Sequence, residues 1–188
     1  MDKKLGDYEL LRRHPDLRVV LTPHEPLPHR LEKLEADLDA ARVPHLRLSR
    51  LMDDPAETAR VILVDSIGVL AEIYRSGHLA YVGGSFTTGV HNTMEPAVCG
   101  MPVFFGPRIH NAEEAGLLVR RGAGRVLTTP AAALAQADRL LADPQERQRL
   151  GSEAHRVVME QRGATARSLA VLEPLLAEDW DERSRREE

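Results

Sequence analysis

The chain has 188 residues, of which 43% are hydrophobic and 29% are charged, a composition typical of a globular protein with one sizeable core. Its net charge of −4 argues against a general nucleic-acid binder, which carries a basic excess. No apolar run approaches the roughly 20 residues of a membrane-spanning helix, no signal-peptide pattern opens the chain, and the single cysteine excludes an internal disulfide and a cysteine-based zinc site.

Short apolar runs alternate with helical segments, which predicts an α/β fold with a parallel sheet. In chain order, the first half is predicted as helix 5–13, strand 18–21, helix 27–41, strand 46–48, loop 53–60, strand 61–64, helix 67–75 and strand 79–82. The second half is predicted as helix 92–99, strand 102–105, helix 112–121, edge strand 125–127, and helices 129–141, 143–161 and 164–180. Residues 1–180 are predicted to form a single domain, and residues 181–188 a charged tail.

Unusual polar and glycine-rich segments follow four of the predicted strands. These segments are 22–25, 65–68, 83–95 and 106–111. Parallel strands place their carboxyl ends at one edge of a sheet, and open α/β sheets bind ligands at that edge. The sequence therefore predicts a pocket there, without naming its ligand.

The third of these segments carries the most chemistry. A glycine-rich turn, Gly83-Gly84-Ser85, leads from a strand to His91 and Asn92 at the start of a predicted helix. Backbone N–H groups and the helix dipole converge at such a place and favour an anion. Glu95 would suit a neutral diol, such as a ribose. The spacing of Asn92 and Glu95 alone favours another interpretation, a capping box in which Glu95 folds back on the backbone.

The segments 64–70, 81–85, 91–96 and 102–107 together resemble the C-terminal half of the 3-deoxy-D-manno-octulosonic acid (Kdo) transferases, and the similarity covers roughly residues 10–175. The resemblance implies a Rossmann-like domain, the donor half of a GT-B glycosyltransferase, that binds CMP-Kdo. The whole enzyme would transfer Kdo to a lipid A precursor in lipopolysaccharide biosynthesis at the cytoplasmic face of the bacterial inner membrane. The transfer would invert the anomeric centre and use neither a metal nor a cofactor.

In this family the catalytic glutamate belongs to the N-terminal domain, so the resemblance implies no catalytic residue in this chain and an inactive isolated domain. The substrate-binding residues that it implies are Pro23, His24, Ile67, Gly68, Val69, Gly83, Gly84, Ser85, His91, Asn92, Thr93, Met94 and Glu95. His24 stands where the family usually has arginine. The chain also begins beyond the strand and Gly-Ser-Thr turn with which the family's domain opens. We therefore expect a sheet without its first strand, with an exposed edge that favours self-association.

Other interpretations stay open from the residues alone. Asp65 or Ser66 is expected to cap the following helix, as are His110 and Asn111. Arg12, Arg13 and Arg18 predict a solvated basic face. The alternative functions are the donor domain of another GT-B enzyme that uses a UDP-sugar, and a non-catalytic module that binds a nucleotide or sugar phosphate.

Overall fold

The computed structural model describes residues 8–51 and 59–174. The strands are β1 (Val19–Leu21), β2 (His45–Arg47), β3 (Val61–Leu63), β4 (Ala80–Val82), β5 (Val103–Phe105) and β6 (Gly124–Val126). The helices are α1 (Glu9–Arg13), α2 (Pro28–Ala40), α3 (Leu70–Tyr74), α4 (Met94–Val98), α5 (Glu113–Arg120), α6 (Pro130–Ala142) and α7 (Pro144–Glu160). A 3-10 turn follows β2, and residues 164–174 are helical. The predicted tail 181–188 and most of the predicted loop 53–60 lie outside the described residues.

The described strands pair in parallel throughout and form two three-stranded sheets, with the orders β1-β3-β2 and β4-β5-β6. The predicted α/β class with parallel strands and flanking helices is confirmed, and β6 has the predicted edge position. The arrangement differs from one continuous sheet because, within the described part of the chain, no ladder joins β1 to β4. The expected lack of a first strand and the expected self-association stay predictions.

The central strand of the second sheet is buried on both faces, which explains its continuous apolar run. Val103 and Phe105 face a core shared with α4, α5 and α7. Phe104 faces the opposite core, where it packs with Leu127, Leu140 and Leu150. In the first sheet, the core consists of Val61 and Leu63 packed against Leu11 of α1 and Leu38 of α2.

Two helix starts follow directly from local sequence. The Thr129 side chain accepts a hydrogen bond from Ala132 N at 3.1 Å, and the Asp143 side chain accepts one from Glu146 N at 2.9 Å. Both helices have proline at their first position, where its missing N–H costs nothing. The predicted starts of α6 and α7 are therefore confirmed.

Asp138 links the first part of the chain to the second sheet's helices. Its carboxylate, on α6, accepts hydrogen bonds from Arg13 Nη1 at 2.6 Å and from His14 Nε2 at 2.8 Å. Arg12, Arg13 and Arg18 are all exposed, as the sequence predicts, and Arg13 also pairs with this residue far along the chain. None of the helices described here is long and apolar enough to span a membrane.

Candidate functional site

The carboxyl ends of the two sheets meet through a pair of histidines. His24 follows β1 and His91 lies in the loop after β4. Their rings stack with centroids 4.7 Å apart and planes only 6° from parallel. Both side chains are exposed to solvent. Of the strand-end segments predicted to converge, the first and the third are therefore in direct contact.

The third and fourth segments are joined by buried and backbone hydrogen bonds. Ser85 is fully buried, and its Oγ accepts a hydrogen bond from Gly106 N at 2.6 Å. The backbone adds Arg108 N to Ser85 O at 2.9 Å and Val90 N to Arg108 O at 3.0 Å. The Arg108 guanidinium donates to Thr87 O. The Ser85 side chain thus supports the loop from beneath, and the backbone N–H groups of residues 87–91 donate hydrogen bonds within the protein.

Asn111 holds the same loop with its side-chain amide. Its Oδ1 accepts from Val90 N at 3.1 Å and its Nδ2 donates to Val90 O at 2.9 Å. The expected capping role is wrong for Asn111, because α5 begins after Ala112 and has no side-chain cap. Sequence reasoning missed this function, since nothing in the local sequence around Asn111 indicates a partner in a separate loop.

The segment from Asn92 to Glu95 is only partly a capping box. Asn92 Oδ1 accepts from Met94 N at 2.9 Å, as a cap would. Glu95 does not fold back on the backbone; instead, its Oε1 accepts from Asn92 Nδ2 at 2.8 Å. The predicted helix 92–99 is reduced to α4, which has five residues and begins after Thr93. So short a helix contributes little dipole to any anion site.

Glu95 lies at the surface of the site, while its neighbour Thr93 lies beneath it. The Glu95 side chain is partly exposed. Burial, and after it the nearby Glu95 carboxylate, raise the pKa of Tyr74 on α3. Thr93 is fully buried, and its Oγ1 has no hydrogen-bond partner. Of these two predicted contacts, Glu95 can present its side chain to a ligand, whereas Thr93 has no exposed surface.

The segment after β3 is held by a residue that the sequence did not single out. Asp65 accepts hydrogen bonds from Ser49 N at 3.1 Å and Ser49 Oγ at 2.5 Å. Burial acts to raise the pKa of Asp65, but these hydrogen bonds outweigh it and lower the pKa below its ordinary value. The expected capping by Asp65 or Ser66 is wrong, since α3 starts after Val69 without a side-chain cap.

Three glycines lie in the segments that follow β3 and β4. Gly84 has φ +85°, and a methyl group there would lie 2.8 Å from His91 Nε2. At Gly83 and Gly68 a methyl group would meet no atom within 4 Å, so the backbone at both positions faces open space. Beside Gly68, the Ile67 side chain is 86% exposed. The structure gives no side-chain contact between the 67–69 segment and the histidine pair.

A groove at the other edge of the first sheet does not have the features of a binding site. It is lined by residues that precede β1, β2 and β3, among them Pro15, Pro44 and Arg60. The Arg60 guanidinium donates to three backbone carbonyls at 2.7–2.9 Å, those of Leu11, His14 and Leu17. Its donors are therefore used by the fold. Among the described residues, no cluster of three or more histidine, cysteine or acidic side chains could hold a metal ion.

Comparison with known proteins identifies relatives over most of the chain. It is 34% identical over 172 residues to 3-deoxy-D-manno-octulosonic acid transferase of Haemophilus influenzae, a match that covers 89% of this chain and 39% of the relative. The enzyme of the same name from Bordetella pertussis is 34% identical over 165 residues, covering 86% and 37%. No protein-family model matches the chain.

A solved structure matches the fold. The crystal structure of the C-terminal CMP-Kdo binding domain of WaaA from Acinetobacter baumannii superimposes with a TM-score of 0.72 at 24% sequence identity, and the match covers 86% of each chain. The chain thus shares the fold of that domain, with parallel strands and flanking helices. With the sequence relatives, the chain belongs to the 3-deoxy-D-manno-octulosonic acid transferase family. It spans about two fifths of the length of the curated relatives it matches, 39% and 37%.

Proposed function

We propose that the chain is the donor-binding domain of an inverting glycosyltransferase that transfers Kdo from CMP-Kdo to a lipid A precursor. In this proposal the whole enzyme serves lipopolysaccharide biosynthesis at the cytoplasmic face of the bacterial inner membrane. The observation that carries the proposal is the 34% identity to a Kdo transferase over 172 residues. It is supported by the contacts that join the strand-end loops into one surface.

The chemistry of the surface fits a nucleotide phosphate beside a ribose. Open backbone at Gly83 and the imidazoles of His24 and His91 would meet the phosphate. Glu95, partly exposed and in the same strand-end segment as His91, would accept hydrogen bonds from the ribose hydroxyls. As the bond between the sugar and the phosphate breaks, negative charge grows on the departing CMP, and fixed donors stabilise it.

Inversion needs no protein nucleophile, because the acceptor hydroxyl attacks the sugar directly. The base that activates that hydroxyl would come from the part of the enzyme outside this chain. We therefore expect the chain alone to bind CMP-Kdo and to transfer nothing.

Calorimetric titration with CMP tests the role assigned to Glu95. Glu95→Ala should weaken binding by about tenfold or more, since a hydrogen bond to a charged group contributes about 1.5–3 kcal/mol. Glu160→Ala is the matched control, because it removes a surface carboxylate that pairs with Arg121 far along the chain from the site. This control should bind CMP as the unaltered chain does.

Equal CMP affinity for the unaltered chain and Glu95→Ala removes Glu95 from the site. Competition with UMP tests whether the site selects cytosine as the nucleobase. If UMP displaces CMP at equal concentration, the cytidine assignment is wrong and a UDP-sugar becomes the better donor.

A further inference from the structure

The strand-end surface proposed to hold the donor contains little permanent positive charge. The four strand-end segments, 22–25, 65–68, 83–95 and 106–111, contain three carboxylates, one arginine (Arg108) and no lysine. A nucleotide phosphate is anionic at neutral pH, so its approach to these carboxylates is unfavourable unless a cation faces it. Arginine keeps its charge throughout the physiological pH range. Arg108 is therefore the permanent cation that these segments offer to an anionic ligand.

The charge of Arg108 is not neutralised by the carboxylates of the same surface. Each of these three carboxylates is held by another side chain: Glu25 by Arg30 at 3.1 Å, Asp65 by Ser49, and Glu95 by Asn92. The exposed Arg108 guanidinium donates instead to a neutral acceptor, the backbone oxygen of Thr87. A guanidinium has five N–H donors, and this hydrogen bond uses one of them. Its charge and its other donors can therefore serve an anion.

The loop after β4 uses its own amide donors within the protein. The N–H groups of residues 87–89 all donate to Gly84 O at 2.9–3.2 Å, and His91 N donates to Gly83 O at 3.2 Å. Helix α4, which follows this loop, has five residues and contributes little dipole. A phosphate at this loop therefore gains most from a charged side chain that reaches it from another segment.

Arg108 is attached to this loop through its backbone as well as its side chain. Arg108 N donates to Ser85 O at 2.9 Å, and Arg108 O accepts from Val90 N at 3.0 Å. These two hydrogen bonds place the residue alongside the loop, and the guanidinium extends to the exposed Thr87. Because both groups are exposed, water can satisfy the Thr87 carbonyl when the guanidinium turns to an anion. The turn requires a new rotamer and no backbone movement.

We propose that Arg108 is the cation that binds the donor phosphate, reaching it from the segment after β5 across the loop after β4. The proposal rests on the proposed function, and it adds to the site a residue outside the thirteen that the family resemblance implies. A hydrogen bond from a guanidinium to a phosphate is about twice as strong as a hydrogen bond between neutral groups, and it can be bidentate.

NMR titrations of the 188-residue chain with CMP and with cytidine test the role of Arg108. Arg108→Gln should weaken CMP binding about tenfold or more. It should leave cytidine binding unchanged, because cytidine has no phosphate. Arg108→Lys keeps the charge without the planar fork and should recover part of the lost affinity.

Arg75→Gln is the matched control for the loss of one positive charge. Arg75 is exposed and pairs with Glu72 at 2.8 Å. It follows α3, which leads from the carboxyl end of β3 to the amino end of β4, so Arg75 lies away from the strand-end segments. This variant should bind CMP as tightly as the unaltered chain does.

The outcomes separate the two proposals. Equal CMP affinity for the unaltered chain and Arg108→Gln contradicts the role of Arg108 and leaves donor binding in place. A loss of affinity that is the same for CMP and cytidine also contradicts it, because the effect then does not act through the phosphate. No CMP binding by the unaltered chain contradicts the proposed function, and the role of Arg108 with it.

A measurement on the unaltered chain covers the case in which a variant folds poorly. The Nε–H resonance of Arg108 should shift during titration with CMP and stay in place during titration with cytidine. The Nε–H resonance of Arg75 should move with neither ligand. An Arg108 resonance that saturating CMP leaves unmoved contradicts the proposal.

Discussion

Two side chains that need not touch a ligand, Ser85 and Asn111, fix the shape of the loop that carries His91. The Ser85 hydroxyl is buried and accepts from Gly106 N. The Asn111 amide pairs with both backbone groups of Val90, much as a neighbouring strand would. Gly89 permits this approach, since a methyl group there would lie 2.5 Å from Asn111 Oδ1. The position of His91 therefore depends on residues outside its own segment.

Replacing Asn111 tests this dependence. Asn111→Ala should lower the free energy of unfolding by about 1 kcal/mol or more, because Val90 O loses its amide donor and Val90 N keeps only Arg108 O as an acceptor. It should also weaken CMP binding through the displaced loop. Asn111→Asp keeps the acceptor for Val90 N and loses the donor, so its effect should be intermediate or larger through repulsion of the Val90 carbonyl. Urea unfolding gives the stabilities; an unchanged midpoint for Asn111→Ala contradicts the assigned role.

At the scale of elements, α4 is held in place by close packing against α7. A methyl group on Gly151 of α7 would lie 1.9 Å from the backbone oxygen of Gly100, which follows α4 and has φ +75°. Only glycine at position 151 allows the two backbones to approach this closely. The position of α4, which includes Glu95, thus depends on the small size of Gly151 in α7.

Alanine at two helical glycines separates packing from helix propensity. Gly151→Ala should lower the free energy of unfolding by about 2 kcal/mol or more, since backbone must shift to admit the methyl group. Gly116→Ala, in α5, meets only the flexible end of Arg120 at 3.3 Å and should be neutral or stabilising by up to about 1 kcal/mol. If the two substitutions change the thermal unfolding temperature equally, the contact between Gly151 and the Gly100 backbone is not tight.

The sequence predicts those elements whose determinants are local. Thr129 and Asp143 each cap a helix within three residues, and the run at 103–105 is buried on both faces, so their patterns are complete in sequence. The partner of Asp65 lies 16 positions away in the chain, and the partner of Asn111 lies 21 positions away. Long-range contacts of this kind leave no periodic signal.

The same distinction applies to the candidate site. Convergence of the strand ends follows from parallel topology, and the contact of His24 with His91 agrees with that expectation. The sequence does not indicate that their rings stack, nor that the Ser85 side chain is buried beneath the loop. The ligand roles of the thirteen predicted residues stay predictions.

At the scale of the whole molecule, two of the contacts among the described residues join the first sheet and its helices to the second. One is the histidine pair at the carboxyl ends of the strands. The other is Asp138, whose pKa is lowered by hydrogen bonds first from His14 and then from Arg13, against the opposing effect of burial. Because no ladder joins β1 to β4 in the described residues, these side-chain contacts help set how the strand-end segments of the two sheets face each other.

The central claim is that strand-end loops of both sheets form one CMP-binding surface, and amide NMR during titration with CMP tests it most directly. We expect dose-dependent shifts at His24, after β1, together with shifts at Gly83, Gly84, His91 and Glu95, after β4. Amides around Arg60, at the opposite edge of the first sheet, should not move. Shifts confined to the Arg60 groove, or to one sheet alone, would contradict the account.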